Sequence, residues 1–380
     1  MKKQILLTPG PTPLPEEVRK VLAQPILHHR TPAYQEIFKE VAENLKYVFQ
    51  TSREVLTFTA SGTGAMEGAV VNLLSPADKV LVVVSGKFGE RFGEICKGYG
   101  LNPVILPVPW GDSCDPARLE EALKANPGVQ AVFGTLCETS TGALHDVKKL
   151  AEASHRANAL FVVDAISGLA ADTFYMDRWD IDVVVSGSQK GLMIPPGLSF
   201  LSFNEKALSR VKNARLPRFY FDAVKMSEAA KKFDTPFTSA IPLVTALRES
   251  LRMIKGQTLE GVWERTASLA QATQASVRAL GLELLARHPS HGVTAVKIPY
   301  GVDSKELLQG LRAEGIWMAG GQGHLKEKIF RIAHMGAIQA SDLEQGIEAL
   351  EKVLAELGYS FKRGSGAKAF QEALSSHATP

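Results

Sequence analysis

Cysteine is scarce in this chain. Cys96, Cys114 and Cys137 are the only three in 380 residues. They form no CxxC pair and no zinc-type spacing, which leaves no disulfide framework and no metal set to build on. Such usage suits a reduced, cytoplasmic protein. Long apolar runs are missing too, and none reaches the ~18 residues that a membrane span needs. The opening Met1-Lys2-Lys3-Gln4-Ile5-Leu6-Leu7 resembles the start of a secretory signal, but Thr8-Pro9-Gly10-Pro11 cuts its apolar part short, so none is expected. Charge of one sign is also lacking. The formal net charge is +3 with no long basic run, which argues against a nucleic-acid partner. No internal repeat and no low-complexity segment appears.

What is present is an ordinary globular composition, 45% hydrophobic and 22% charged. The length exceeds what one core usually serves, so two domains are expected. Between residues 54 and 203, short valine-rich runs alternate with amphipathic stretches. The runs at 79–85, 104–108, 130–136, 160–164, 183–186 and 198–203 read as buried strands. Those at 65–74, 88–99, 116–125 and 147–157 read as helices. Continuous apolar strands separated by helices imply a mostly parallel sheet covered on both faces. Right-handed crossovers then bring the strand C-termini to one edge, where such sheets bind ligands.

Beyond about residue 206 the pattern becomes α+β. Helices are expected at 228–233, from 242 into the 280s as one long element, at 304–314 and at 341–357. Strands are expected at 293–299 and 329–334. The division is an N-terminal arm over 1–20, a large domain over 21–255, a smaller C-terminal domain over 256–360, and a tail over 361–380 that is expected to fray.

Three features carry chemistry. Ser61-Gly62-Thr63-Gly64 follows the apolar stretch 55–58 and opens a segment with helical apolar spacing. Small and hydroxyl residues at a helix start suit an anion such as phosphate, although a plain helix cap has the same composition. Asp164 ends the apolar run Leu160-Phe161-Val162-Val163 and so reaches the ligand edge. A buried carboxylate there needs a cationic or hydrogen-bonding partner, although a turn-capping Asp looks alike. Lys190 lies just past Val183-Val184-Val185-Ser186-Gly187-Ser188-Gln189, before the apolar Leu192-Met193-Ile194. Most lysines are solvated surface charges, but this placement implies burial, which lowers a lysine pKa and makes a nucleophile. In this order the three supply a phosphate cradle, a partner for a protonated pyridine nitrogen, and an amine for an aldehyde. Pyridoxal 5'-phosphate (PLP) needs these three.

The chain resembles the class V aminotransferases, in the alanine–glyoxylate / serine–pyruvate branch. The matching stretches are Leu7-Thr8-Pro9-Gly10-Pro11, Ser61 to Glu67, Glu138-Thr139-Ser140-Thr141-Gly142, Val163-Asp164-Ala165-Ile166-Ser167, Ser186-Gly187-Ser188-Gln189-Lys190 and Arg331-Ile332-Ala333-His334-Met335-Gly336. The resemblance covers nearly everything up to about residue 358. It implies an aspartate-aminotransferase-like large domain and a small α+β domain. It implies that Lys190 holds PLP as a Schiff base and moves the proton, while Asp164 holds the ring nitrogen. Ser61, Gly62, Thr63 and Gln189 would contact the phosphate, Thr139 the ring hydroxyl and Phe88 the ring face. Phe88 stands where some relatives carry Trp. Arg331 would grip the substrate carboxylate, with Gly10 on the substrate side. Thr238, in Thr235-Pro236-Phe237-Thr238-Ser239-Ala240, would reach the phosphate of a neighbouring subunit in a homodimer. Phe237 and Ala240 replace Tyr and Thr of some relatives, so only Thr238 is carried over.

The resemblance implies ping-pong transfer from a small amino acid, such as alanine or serine, to glyoxylate or pyruvate. One carboxylate clamp is evident, and Arg30 has no assigned place. Ureidoglycine–glyoxylate and aspartate-type aminotransferases share the branch. Phosphoserine aminotransferase shares Gln-Lys, but its surrounding motifs match less closely. A cysteine desulfurase would carry His before the lysine and a C-terminal reactive Cys, whereas this chain has Gln189 and no cysteine beyond Cys137. A non-catalytic companion of a soluble hydrogenase is the reading from another class. A nucleotide-binding α/β protein lacks its G-x-G-x-x-G or P-loop.

Overall fold

In the computed structural model, residues 4–376 are described. Seven strands form the central sheet: Val55–Phe58 (β1), Lys79–Val84 (β2), Asn102–Pro107 (β3), Ala131–Thr135 (β4), Leu160–Asp164 (β5), Val183–Gly187 (β6) and Ser199–Phe203 (β7). Their spatial order is β1-β7-β6-β5-β4-β2-β3. All neighbours are parallel except β7, which runs antiparallel to β1 and β6. Alternate residues explain the continuous apolar runs. Val80, Val82, Phe133, Val162 and Val185 pack under helix Gly62–Leu73 and helix Lys87–Gly98. Leu81, Val83, Val132, Val163 and Val184 pack on the other face, against helices that include Pro32–Phe49 and Val147–Arg156. A strand buried on both faces has no polar side to show.

A second core surrounds a three-stranded sheet of Val293–Lys297 (β8), Ala319–Gly320 (β9) and Ile329–Ala333 (β10), in the order β8-β10-β9. The architecture is thus an α/β layer built on a mostly parallel sheet, with a smaller α+β unit beside it. The N-terminal arm joins this second core. Ile5–Leu6 pairs in parallel with Ile316–Trp317, and Leu7 is fully buried. No described helix is long and apolar enough to cross a membrane.

Three expectations are corrected. The single long helix from 242 is two, Ile241–Gln257 and Leu259–Ala279. Thr258 between them takes φ +60°, and its hydroxyl accepts from the Gly261 amide at 3.1 Å. A left-handed residue cannot continue a helix, and the hydroxyl caps the next one. The helix expected at 228–233 is Ala223–Ala230, started by Asp222, whose carboxylate accepts from the amides of Val224 and Lys225. The tail does not fray where it is described. Ser365–Ser376 is a helix with Phe370 fully buried. The Glu351 carboxylate accepts from the amides of Gly364, Gly366 and Ala367 at 2.6–3.1 Å, capping that helix from a neighbouring one. Residues 377–380 of the expected tail, like 1–3 of the arm, lie outside the described residues.

Candidate active site

The sheet brings the candidate residues to one edge. Phe58 and Gly187, the last residues of β1 and β6, both lie opposite Ser199 of β7. The turns that follow them therefore meet. A Cβ on Gly187 would lie 3.2 Å from Gln189 Oε1 and 3.4 Å from Gly62 Cα. Asp164 ends β5 beside β6.

Lys190 is only 8% exposed. Its Nζ donates to the Pro9 carbonyl of the N-terminal arm. Thr12 fastens that arm, with its amide donating to the Gln189 carbonyl (3.1 Å) and its hydroxyl to the Lys190 carbonyl (3.0 Å). Gly10, at φ +139°, lies against the lysine, and a Cβ there would come within 2.5 Å of Cε and Nζ. Burial holds the amine at about 8, well below its usual value, and the positive charges of Arg331 and Arg91 push the same way. The carboxylate of Asp164 opposes them.

Asp164 is 4% exposed, and its Oδ1 accepts from the Ile166 amide at 2.8 Å. Burial raises its carboxyl to about 7, and the negative Glu138 adds to the rise. Such a carboxyl regains its charge readily when a cation is placed against it. A protonated pyridine nitrogen is a cation of that kind.

Ser61 precedes helix Gly62–Leu73 but makes no capping bond with its side chain, so the plain-cap reading of this serine does not hold. The first turn of the helix carries no acidic residue. A Cβ on Gly62 would strike Ile166 Cδ1 at 2.6 Å, so glycine lets the helix start approach the turn after β5. Gln189 Oε1 and Ser186 Oγ are buried without a hydrogen-bond partner among the described residues. Uncapped helix amides, a free serine hydroxyl and the Nε2 donor of the Gln189 side chain suit a phosphate group. The residues present therefore fit PLP.

Arg331, in β10, is 5% exposed. It donates to the Gly320 carbonyl through Nε (3.1 Å) and Nη2 (2.7 Å), and to the Thr139 carbonyl through Nη1 (3.0 Å). Burial lowers it to about 10. No carboxylate among the described residues pairs with it, which is unusual for a buried guanidinium and leaves donors for an incoming anion. Thr139 itself is buried, with Oγ1 2.5 Å from Ser167 Oγ. Phe88 is half-buried at the start of helix Lys87–Gly98. Thr238 stands apart, exposed on loop 235–240, where the Ala240 amide donates to Thr59 Oγ1 at 3.2 Å. No hydrogen bond links it to Lys190 or Asp164 among the described residues.

Sequence reasoning assigned no role to two residues that the structure places here. Glu138 is fully buried and accepts from the amides of Phe88, Gly89 and Ser140 and from Ser140 Oγ. Its signal resembled that of Asp164, an acidic residue just past an apolar strand. Arg91 donates to Thr63 Oγ1 (3.2 Å), with its guanidinium over the Phe88 ring, 4.8 Å from the centroid. It gave no signal, because a helix arginine looks like any surface charge.

The family model for class V aminotransferases (Aminotransferase class-V) matches residues 9–344. The chain is 42% identical to the small subunit of soluble hydrogenase from Synechococcus sp. (strain PCC 6716), over 98% of this chain and 99% of that one. It is 36% identical to L-aspartate–glyoxylate aminotransferase of Paracoccus denitrificans (strain Pd 1222), over 97% and 95%. The crystal structure of pyridoxamine–pyruvate aminotransferase from Mesorhizobium loti superposes with a TM-score of 0.94, at 28% identity, over 99% and 98%. The chain belongs to the class V aminotransferases and is a PLP-dependent transaminase of the alanine–glyoxylate / serine–pyruvate branch.

Proposed function

We propose that this transaminase moves the amino group of a small amino acid, alanine or serine, to glyoxylate or pyruvate. The observation that carries the reading is a buried Arg331 with no acidic partner among the described residues, in a site that also holds a buried Lys190 amine. An α-carboxylate on Arg331 would set the substrate amine and α-carbon toward that lysine. Arg30, the arginine without a place in the sequence reading, pairs with Asp234 and is not free for a second carboxylate. That supports small, uncharged side chains over that of aspartate.

PLP supplies an aldehyde for the amine and a protonated ring that draws electrons from the α-carbon. Lys190 would hold the cofactor through Nζ between turnovers. Freed by the incoming amine, the same Nζ would take the α-proton and return it one position away. A neutral amine is needed for that, and burial with Arg331 and Arg91 nearby lowers the cost of reaching that form. Asp164 would keep the ring nitrogen protonated. Ser61, Gly62, Thr63 and Gln189 would seat the phosphate, Phe88 the ring and Thr139 its hydroxyl. Gly10 leaves room beside the lysine for the substrate. The donor leaves as its 2-oxo acid before the acceptor enters, so the kinetics are ping-pong. We further propose a cytoplasmic homodimer in which Thr238 serves the neighbouring subunit's phosphate.

The companion-subunit reading has the name of the Synechococcus relative behind it. A scaffold, however, gains nothing from burying Lys190, Asp164 and an unpaired Arg331 together, since each burial is costly.

The test is the absorption spectrum of the purified protein, before and after borohydride. It is followed by additions of alanine, serine, aspartate or ureidoglycine without an acceptor. A visible band fixed on Lys190 by reduction, and discharged by alanine or serine, is expected. Discharge by aspartate or ureidoglycine alone would replace the donor assignment. No band even with added PLP would favour the companion reading.

A further inference from the structure

Arg91 belongs to helix Lys87–Gly98, yet it faces the start of a different helix. Its Nη1 donates to Thr63 Oγ1 at 3.2 Å, one residue after Gly62. Its guanidinium lies over the Phe88 ring, 4.8 Å from the centroid. It is half-buried, and no carboxylate among the described residues pairs with it. The nearest acidic residue in its own first turn, Glu90, is engaged by Lys87 at 2.9 Å.

A guanidinium drawn partly out of water usually finds an anionic partner, because its charge is then less well balanced by solvent. Here the ring of Phe88 holds the cation without neutralising it. The charge stands beside a helix start that has no acidic residue and beside Ser61, whose hydroxyl caps nothing. Cation, helix dipole and free hydroxyl all favour the same thing, a doubly charged anion.

We propose that Arg91 is a further cofactor-binding residue, which supplies the cationic partner of the PLP phosphate through Thr63 and the helix start. The proposal rests on the reading of Ser61 to Thr63 as the phosphate cradle. The merely structural alternative is that Arg91 braces its helix against helix Gly62–Leu73.

Comparing PLP with pyridoxal separates these, because both offer the aldehyde to Lys190 and only PLP carries the phosphate. Full-length apo-protein is titrated with each, with inorganic phosphate as a competitor. Arg91→Met is expected to weaken PLP about 10- to 100-fold, the usual worth of a hydrogen bond to a charged group, and to leave pyridoxal unchanged. Phosphate should compete poorly against PLP-free Arg91→Met. Arg91→Lys should recover part of the affinity, in a salt-sensitive manner. Equal weakening of PLP and pyridoxal would place Arg91 behind the ring only and overturn the proposal. A lowered melting temperature with unchanged PLP affinity would make it a brace, which also overturns it. Ser61→Ala and Thr63→Val report on the cradle itself. If they lose PLP selectively and Arg91→Met does not, this inference alone fails. If none of the three is selective for PLP, the cradle reading fails with it. Should Arg91→Met not fold, Arg91→Gln and Arg91→Lys carry the same comparison.

Discussion

Replacing Lys190 with methionine is expected to stabilise the cofactor-free protein at neutral pH. The amine is held at about 8 by burial, against an ordinary 10.5. Keeping it protonated inside the fold at pH 7 therefore costs about 3 kcal/mol, at about 1.4 kcal/mol per tenfold change in proton affinity. Methionine has similar length and no charge. It loses the bond from Nζ to the Pro9 carbonyl, worth about 1 kcal/mol, so a net gain of about 2 kcal/mol remains. The sign follows from linkage. The unfolded chain holds its lysine proton more tightly than the folded chain, so the cost is full below pH 8. It fades between 8 and 10.5 and vanishes above. By pH 9.5 it has fallen to about 1.5 kcal/mol. The assay is urea unfolding of both apo-proteins at pH 7 and pH 9.5, at one protein concentration. The advantage of the variant should shrink by roughly 2 kcal/mol between the two. A pH-independent difference, or one that grows with pH, would refute the assignment of a strained, buried amine.

Four further outcomes are expected. Asp164→Asn should bind PLP and show its band but lose about 10²- to 10³-fold in turnover, measured by single-turnover discharge, because the ring nitrogen loses its countercharge. Arg331→Met should lower kcat/KM for every amino and 2-oxo acid about 10- to 100-fold while leaving PLP affinity intact. Gly10→Ala should slow cofactor rebinding to apo-protein, followed by absorbance, since its Cβ would meet Lys190 Nζ within 2.5 Å. Phe370→Ala should cost about 3–5 kcal/mol in urea unfolding, because the ring is fully buried by the tail helix.

Much of the site was legible because each signal was local. Asp164 ends an apolar strand, Lys190 follows one, and Ser61 to Gly64 opens a helix, so chain order alone aligned them on one sheet edge. Arg331 came only through resemblance, since a strand arginine carries no local mark. Glu138 and Arg91 were missed because their partners are remote in sequence. Besides Ser140, Glu138 is bound by the amides of Phe88 and Gly89 some 50 residues away, and Arg91 reaches Thr63 across 28 residues. The tail helix was missed for the same reason, since its cap, Glu351, belongs to another helix.

By itself, then, the amino-acid sequence determined the strand and helix pattern and the parallel sheet, because buried strands must be apolar throughout and helices must be amphipathic. It also singled out Lys190 and Asp164, which the fold brings to the same sheet edge. Only the tertiary structure decided that Thr258 splits a helix, that the arm lays Pro9 and Gly10 on Lys190, and that Arg331 and Arg91 have no acidic partner among the described residues. Those are outcomes of packing between distant segments. Burial, not residue type, sets how far an amine or a carboxyl departs from its ordinary proton affinity.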